Sequence, residues 1–149
     1  MVEAVLDGFK TPEGRSPVVV CMPSTPLYIR ADQHKAQQVV LNVLANAYKY
    51  SPAGGEVRIE LVQSPAGEDA VPCVGICITD QGIGMSAAQV ARVFERFYRA
   101  DASGKILGTG LGMSIVHEIM GLHGGKVDVV STPGAGTTVS LWWLKENIP

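Results

Sequence analysis

The sequence predicts an α+β two-layer sandwich: a mixed, largely antiparallel sheet packed on about three helices. Three observations predict it. Residues 33–50 repeat apolar side chains at helical spacing. Residues 56–62 and 73–79 alternate as half-buried strands joined by a short link. Strands and helices do not succeed one another as regular βαβ units, which argues against a Rossmann sheet. A chain of 149 residues is the length of one domain, so 1–149 is read as a single unit.

The elements follow in order. Residues 1–17 are weakly patterned and interrupted by Pro12, Gly14 and Pro17; with the first strand they form a lead-in over 1–28. The apolar run 18–22, stopped by Pro23 and Pro26, predicts that strand, and 27–29 a second short extended piece. Asp32 stands where an N-cap would, because its carboxylate can accept an amide of the first turn. The helix over 33–50 carries Ala36, Val39, Val40, Val43, Leu44 and Ala47 on its inner side and ends at Ser51-Pro52 and Gly54-Gly55. In the strand 56–62, Val57, Ile59 and Leu61 share one face; in 73–79, Val74, Ile76 and Ile78 do. Their polar connector makes the pair antiparallel. A Gly-rich turn over 80–85 precedes a short helix over 86–93 capped by Ser86. Residues 94–107 predict a mobile loop with two aromatic anchors, Phe94 and Phe97. A helix over 110–122, with Leu111, Ile115, Ile119 and Leu122 along one side, stops at Gly124-Gly125. Strands over 126–131 and 137–144 flank a turn at Pro133-Gly134-Ala135-Gly136.

Bulk features narrow the function. The formal charge of −2 supplies no global attraction to nucleic acid or to an acidic membrane surface. With 46% hydrophobic and 17% charged residues the chain can build a core, which excludes a disordered polyelectrolyte. No run of 18 apolar residues predicts a membrane span. The opening decapeptide, with Glu3 and Asp7, does not read as a signal peptide. Cys21, Cys73 and Cys77 form no CxxC pair; they are expected as core or semi-core thiols of a protein in the reducing cytosol. His34, His117 and His123 lack metal-ligand spacing. Glycine is unusually common, and 11 of the 17 glycines lie between Gly82 and Gly136.

Three clusters could carry chemistry. Asn42, Asn46 and Lys49 recur at i, i+4 and i+7, on one helix face. That stripe is either a partly exposed polar surface or a place where a carboxamide oxygen meets a hard cation while the ammonium neutralises phosphate. Asp80 closes an apolar strand before Gly82 and Gly84. It is either a turn carboxylate or an acceptor for a ligand amino group, which glycines let approach the backbone. Gly108, Thr109, Gly110, Leu111 and Gly112 open a helix. They form either a tight loop–helix junction or an anion site of free amides. Neither a Walker A loop nor a dinucleotide GxGxxG is present, since Met113 occupies the third glycine position.

In this order the segments resemble the ATP-binding catalytic domain of sensor histidine kinases, of the Bergerat nucleotide fold shared with gyrase, Hsp90 and MutL ATPase domains. The resemblance covers roughly residues 29–144. Residues 42–51 (NVLANAYKYS) resemble the N box, 80–85 (DQGIGM) the G1 box, Phe94-Glu95-Arg96-Phe97-Tyr98-Arg99 the F box, and Gly108–Gly112 with the following helix the G2 box; His123-Gly124-Gly125 matches the family's HGG turn. The resemblance implies ATP and Mg²⁺ as cofactors. It implies Asn46 as the metal ligand with Asn42 beside metal and phosphates, and Lys49 on phosphate. It further implies Asp80 on the adenine amino group, Gly82 and Gly84 shaping the adenine pocket, and Gly108, Thr109, Gly110, Leu111 and Gly112 at the β/γ-phosphate side. Tyr50 and Tyr98 would line the nucleotide site, Arg96 and Arg99 would reach phosphate or the partner domain, and residues 86–107 would form the ATP lid. Hydrolysing relatives of the fold carry a Glu where Asn42 stands; a carboxamide cannot act as a general base, so Asn42 suits transfer rather than hydrolysis.

The implied activity is transfer of a γ-phosphoryl group from Mg-ATP to a histidine in a separate dimerisation domain, within two-component signal transduction. That domain is the implied partner, with a response regulator indirectly; neither nucleic acid nor direct membrane contact is implied. The module would face the cytoplasm even where the parent protein is membrane-anchored. The proline-interrupted residues before the N box leave no room for the dimerisation domain, so the chain alone is expected to bind nucleotide without phosphorylating itself. His117-Glu118 resembles an acceptor motif only superficially: it lies inside the nucleotide domain, where His117 is expected as an ordinary surface residue and His123 as a turn or packing residue. The alternatives are a serine-directed protein kinase of the same fold, against which the FERFYR stretch argues, and a non-catalytic nucleotide-sensing interaction module.

Overall fold

The computed structural model describes residues 1–64, 71–101, 104, 106 and 108–146. The connector over 65–70 and residues 102, 103, 105 and 107 of the predicted lid lie outside the described residues. The elements are α1 (Val2–Gly8), β1 (Val19–Cys21), α2 (Gln33–Lys49), β2 (Arg58–Gln63), β3 (Cys73–Asp80), α3 (Ala87–Val90), α4 (Gly112–Leu122), β4 (Lys126–Thr132) and β5 (Gly136–Leu144).

The five strands form one sheet in the order β1-β2-β3-β5-β4. Only the β1–β2 pair is parallel; the other three are antiparallel. The expected mixed, largely antiparallel α+β sheet is what the chain forms. Strand alternation decides its sidedness. Ile59, Ile76, Ile78, Val139, Leu141 and Trp143 point inward and are buried, whereas Arg58, Glu60, Cys77, Ser140 and Trp142 on the opposite face keep solvent contact. The inner face packs against α2 (Val39, Val40, Val43, Leu44) and α4 (Val116, Met120). Asp80 is the last residue of β3, at the C-terminal end of a central strand.

α2 starts as its sequence requires: the Asp32 carboxylate accepts the Lys35 N–H at 2.9 Å. It ends one residue before the expected boundary, with Tyr50 as C-cap. His123, just past α4, ties the two helices together. Its Nε2 accepts the Asp32 N–H at 3.1 Å, and its Nδ1 lies 2.8 Å from the Ile119 carbonyl oxygen.

Several elements differ from the sequence expectation. The lead-in contains α1, whose Val2 and Val5 are buried against α2; seven residues are too few to display a period. The helix predicted over 86–93 is only α3, a single turn with a Ser86–Gln89 capping box. α4 begins at Gly112 rather than residue 110, and Leu122 is 81% exposed rather than on the buried side. Its buried residues are Val116, Ile119 and Met120; at about 100° per residue Leu122 lies roughly 120° from Val116 and roughly 160° from Met120 around the helix, on the solvent side. Cys21 is exposed on the edge strand, not a core thiol, and all three cysteines are free.

Candidate nucleotide-binding site

A cavity of about 420 Å³ opens between α2, the C-terminal end of β3 and the start of α4. Of the sequence-selected residues, Asn42, Asn46, Lys49, Tyr50, Asp80, Gly84, Tyr98, Gly108, Thr109, Gly110, Leu111 and Gly112 all border it. Segments that are remote in sequence thus converge on a space of ligand size.

Asp80 borders the cavity from the C-terminal end of β3. Its side chain is pinned by the Gly82 N–H, which donates to Oδ1 at 2.8 Å, and the Thr137 N–H also donates to the carboxylate. The residue is only 7% exposed. Burial raises the carboxyl above its ordinary range, and the two backbone donors pull the other way without cancelling that effect. A carboxylate held by two donors on the protein side keeps lone pairs for a donor arriving from the cavity.

Glycine is required in the turn that follows. A Cβ on Gly82 would run into the Tyr50 carbonyl oxygen, and one on Gly84 into that of Thr132; Gly84 also has φ +64°. The Ile83 N–H donates to the Tyr50 carbonyl at 3.0 Å, and the Gly134 N–H to the Ile83 carbonyl at 2.8 Å. The turn is therefore clamped between the end of α2 and the β4–β5 hairpin.

The wall where α2 meets the start of α4 is positive. Leu111, the N-cap of α4, offers no side-chain cap, and among the described residues no side chain caps the first-turn amides of α4. The Lys49 ammonium lies 3.3 Å from where a Cβ on Gly108 would stand, and the Asn46 Nδ2 3.7 Å from the corresponding point at Gly112. Lys49, the helix dipole and the bare amides together attract an anion. The site is thus bipolar, with a buried acceptor at Asp80 and a cationic cradle at Lys49 and Gly108–Gly112. Apolar Ile78, Val129 and Val139 also border it.

The sequence profile of the family described as "Histidine kinase-, DNA gyrase B-, and HSP90-like ATPase" matches residues 31–148. The chain belongs to this family. Within the family its likeness is to the ATP-binding catalytic domain of sensor histidine kinases. It is 37% identical over 140 residues to the sensor histidine kinase WalK of Bacillus subtilis, covering 92% of this chain and 22% of WalK. It is 37% identical over 121 residues to the histidine protein kinase DivJ of Caulobacter vibrioides, covering 80% of this chain and 19% of DivJ. The solved mycobacterial sensor histidine kinase MprB superposes with a TM-score of 0.76 at 31% identity, over 99% of this chain and 92% of that one. The chain therefore spans about a fifth of the length of these curated histidine kinases, and most of the solved MprB chain. No helix among the described residues is long and apolar enough to cross a membrane.

Against this family frame the F-box residues divide. Tyr98 borders the cavity with the Arg92 guanidinium 4.4 Å from its ring centroid. Phe94 stacks on His117 at 4.7 Å, so His117 is an anchor point for the loop and not merely a surface residue. Phe97 is not an anchor: its side chain is 73% exposed, while its backbone, at φ 65°, donates to the Gly110 carbonyl at 2.9 Å. Arg96 is not brought to the cavity; it faces Glu118 on α4 at 3.7 Å with both side chains exposed. Arg99 does not border the cavity either, and its buried Nε and Nη2 find no hydrogen-bond partner among the described residues. Gly82 supports the Asp80 carboxylate from outside the lining.

Sequence reasoning missed Thr137, Ile83 and Met85, all of which border the cavity. Thr137 sits there because β5 pairs with β3 in a register that sets it opposite Asp80. Ile83 and Met85 were inside a selected turn, and their apolar side chains were the available signal. Among the described residues no three His, Cys, Asp or Glu side chains cluster to hold a metal.

Proposed function

We propose that this domain binds Mg-ATP across the bipolar cavity and supplies the γ-phosphoryl group to a histidine on a separate dimerisation domain of a two-component sensor kinase. The observation that carries the reading is the polarity of the cavity lining: one buried carboxylate, Asp80, together with Lys49 and the start of α4, which has no side-chain cap. Asp80 would accept the adenine amino group, which discriminates against a base presenting a carbonyl there. Thr137, Gly82 and Gly84 shape that end. Tyr50 and Tyr98 flank the nucleotide. Lys49 and the backbone of Gly108–Gly112 hold phosphate oxygens.

The donor set fits a hard cation. Asn42 and Asn46 present neutral carboxamides on the cavity wall, with no cluster of acidic metal ligands among the described residues, so phosphate and water oxygens would complete the coordination. Mg²⁺ held by Asn46 would supply charge neutralisation at the phosphates. The chain's own residues position and shield. Asn42 orients by hydrogen bonding and withholds a base from water, which leaves the phosphoryl group to an incoming imidazole. Arg96 and Arg99 are assigned to phosphate or to the partner domain, a role that requires residues 86–107, the proposed ATP lid, to rearrange.

Phosphorylation needs the dimerisation domain, and a response regulator would receive the phosphoryl group in turn. Such a module works at the cytoplasmic side of its parent. Calorimetric titration of the 149-residue chain with ATP and ADP, with and without Mg²⁺ and with GTP as control, tests the reading. Saturable, adenine-selective binding strengthened by Mg²⁺ is expected. A folded chain that binds no nucleotide, or binds GTP equally, overturns it.

A further inference from the structure

We propose that Arg15 is a positioning residue for the nucleotide cavity, holding the end of α2 and, through it, the Asp80–Gly84 turn. Arg15 precedes the segment that the family profile matches, and it does not border the cavity. Its guanidinium nevertheless reaches three acceptors at the end of α2. Nη1 donates to the Tyr48 carbonyl at 3.1 Å; Nη2 donates to Ser51 Oγ at 2.9 Å and to the Gly55 carbonyl at 3.4 Å. The same group stands 5.1 Å from the Tyr48 ring centroid. A cation at this place complements the negative end of a 17-residue helix whose last carbonyls lack intrahelical donors.

Two paths run from these acceptors to the cavity. Between Tyr48 and Ser51 lies Tyr50, whose carbonyl receives the Ile83 N–H and abuts Gly82. Next to Gly55 lies Gln81, whose Oε1 accepts the Glu56 N–H at 3.2 Å and whose side chain fills the space where a Gly55 Cβ would be. Gln81 is the residue between Asp80 and Gly82. Arg15 thus holds both supports of the turn that presents Asp80. The lead-in is itself docked on α2: Phe9 stacks on Tyr48 at 5.6 Å, and the Tyr48 hydroxyl donates to the Ser16 carbonyl at 2.9 Å. The guanidinium fork is what spans three acceptors; a lysine ammonium keeps the charge but not the span.

The consequence for affinity rests on the nucleotide reading above, so the test has two readouts. Amide hydrogen exchange is followed in the full 149-residue chain and in Arg15→Gln and Arg15→Lys, alongside ATP titration. In Arg15→Gln, exchange of the Ile83 and Gly54 amides is expected to rise about tenfold, the size of one hydrogen bond to a charged group, with central β3 and β5 amides unchanged. The ATP Kd should rise about three- to tenfold. Arg15→Lys should fall between parent and Arg15→Gln in both. Unchanged Ile83 exchange, a rise shared equally by the β3 and β5 amides, or altered exchange with unchanged ATP affinity would each overturn the positioning role. A parent chain that binds no ATP refutes the nucleotide reading instead, and the exchange data then still decide whether Arg15 holds the turn.

Discussion

Replacing Asp80 with Asn separates recognition from stability at a single atom. In the parent chain Oδ1 is engaged by Gly82 and the carboxylate also receives the Thr137 N–H. A carboxamide has only one acceptor atom. If that oxygen, which has two lone pairs, accepts both the Gly82 and the Thr137 N–H, no backbone donor is left unpaired and the new NH₂ faces the cavity, where the adenine amino group would meet a donor instead of an acceptor. Loss of a hydrogen bond to a desolvated charged acceptor is about 1.5–3 kcal/mol, so ATP affinity should fall roughly 10- to 150-fold. Stability should not fall with it. Burial holds the Asp80 carboxyl above its ordinary value in the folded chain. A carboxyl raised in this way supports the fold only while it is protonated. That contribution is lost as pH climbs through the folded pKa, and at neutral pH the buried charge is a cost. Asp80→Asn removes the cost, so its Tm at pH 7 should equal or exceed that of the parent. The advantage should vanish in acid, once the parent carboxyl is protonated. Titration calorimetry with ATP and thermal unfolding across pH read the two effects. ATP affinity within twofold of the parent, in a variant that melts cooperatively, would refute the recognition argument. A lower Tm at pH 7 would refute the electrostatic one.

Two further substitutions probe other parts of the site. Asn46→Ala should abolish most of the Mg²⁺ enhancement of ATP binding while leaving metal-free ADP binding within a few-fold, as measured by paired titrations; equal metal dependence in variant and parent would remove Asn46 from the metal site. Gly84→Ala should lower stability by at least about 1–3 kcal/mol, because an L-residue at positive φ is strained and its Cβ strikes the Thr132 carbonyl. Urea denaturation with an unchanged midpoint would show that the turn is not clamped as described.

Much of the fold was legible because its signals are short-range. The Asp32 cap lies three residues from the amide it accepts. The inner stripe of α2 repeats every turn, and the inward residues of β2 and β3 alternate. α1 escaped because its helix depends on packing Val2 and Val5 against α2, not on a pattern of its own. The buried side of α4 differs from the expected one because its apolar residues outline two neighbouring stripes, and packing buries the one through Val116 and Met120, which leaves Leu122 on the solvent side. In the F box, residue type alone cannot distinguish Phe94, stacked on His117, from Phe97, which offers its backbone to Gly110 and its ring to solvent.

The sequence by itself determined the fold class, the order of the glycine-rich boxes and the residue types that would meet a nucleotide. The fold class follows from local backbone preference and from spacing along each element; the expected roles of the box residues follow from the resemblance to the histidine-kinase ATP-binding domain. Only the tertiary structure decided that Thr137 stands opposite Asp80, that Lys49 reaches Gly108, that Arg96 turns away toward Glu118, and that Arg15 closes the end of α2. Each of these joins residues from different elements. Such pairings are chosen by strand register and by the burial of one shared core, and neither is encoded within the reach of a single turn or strand.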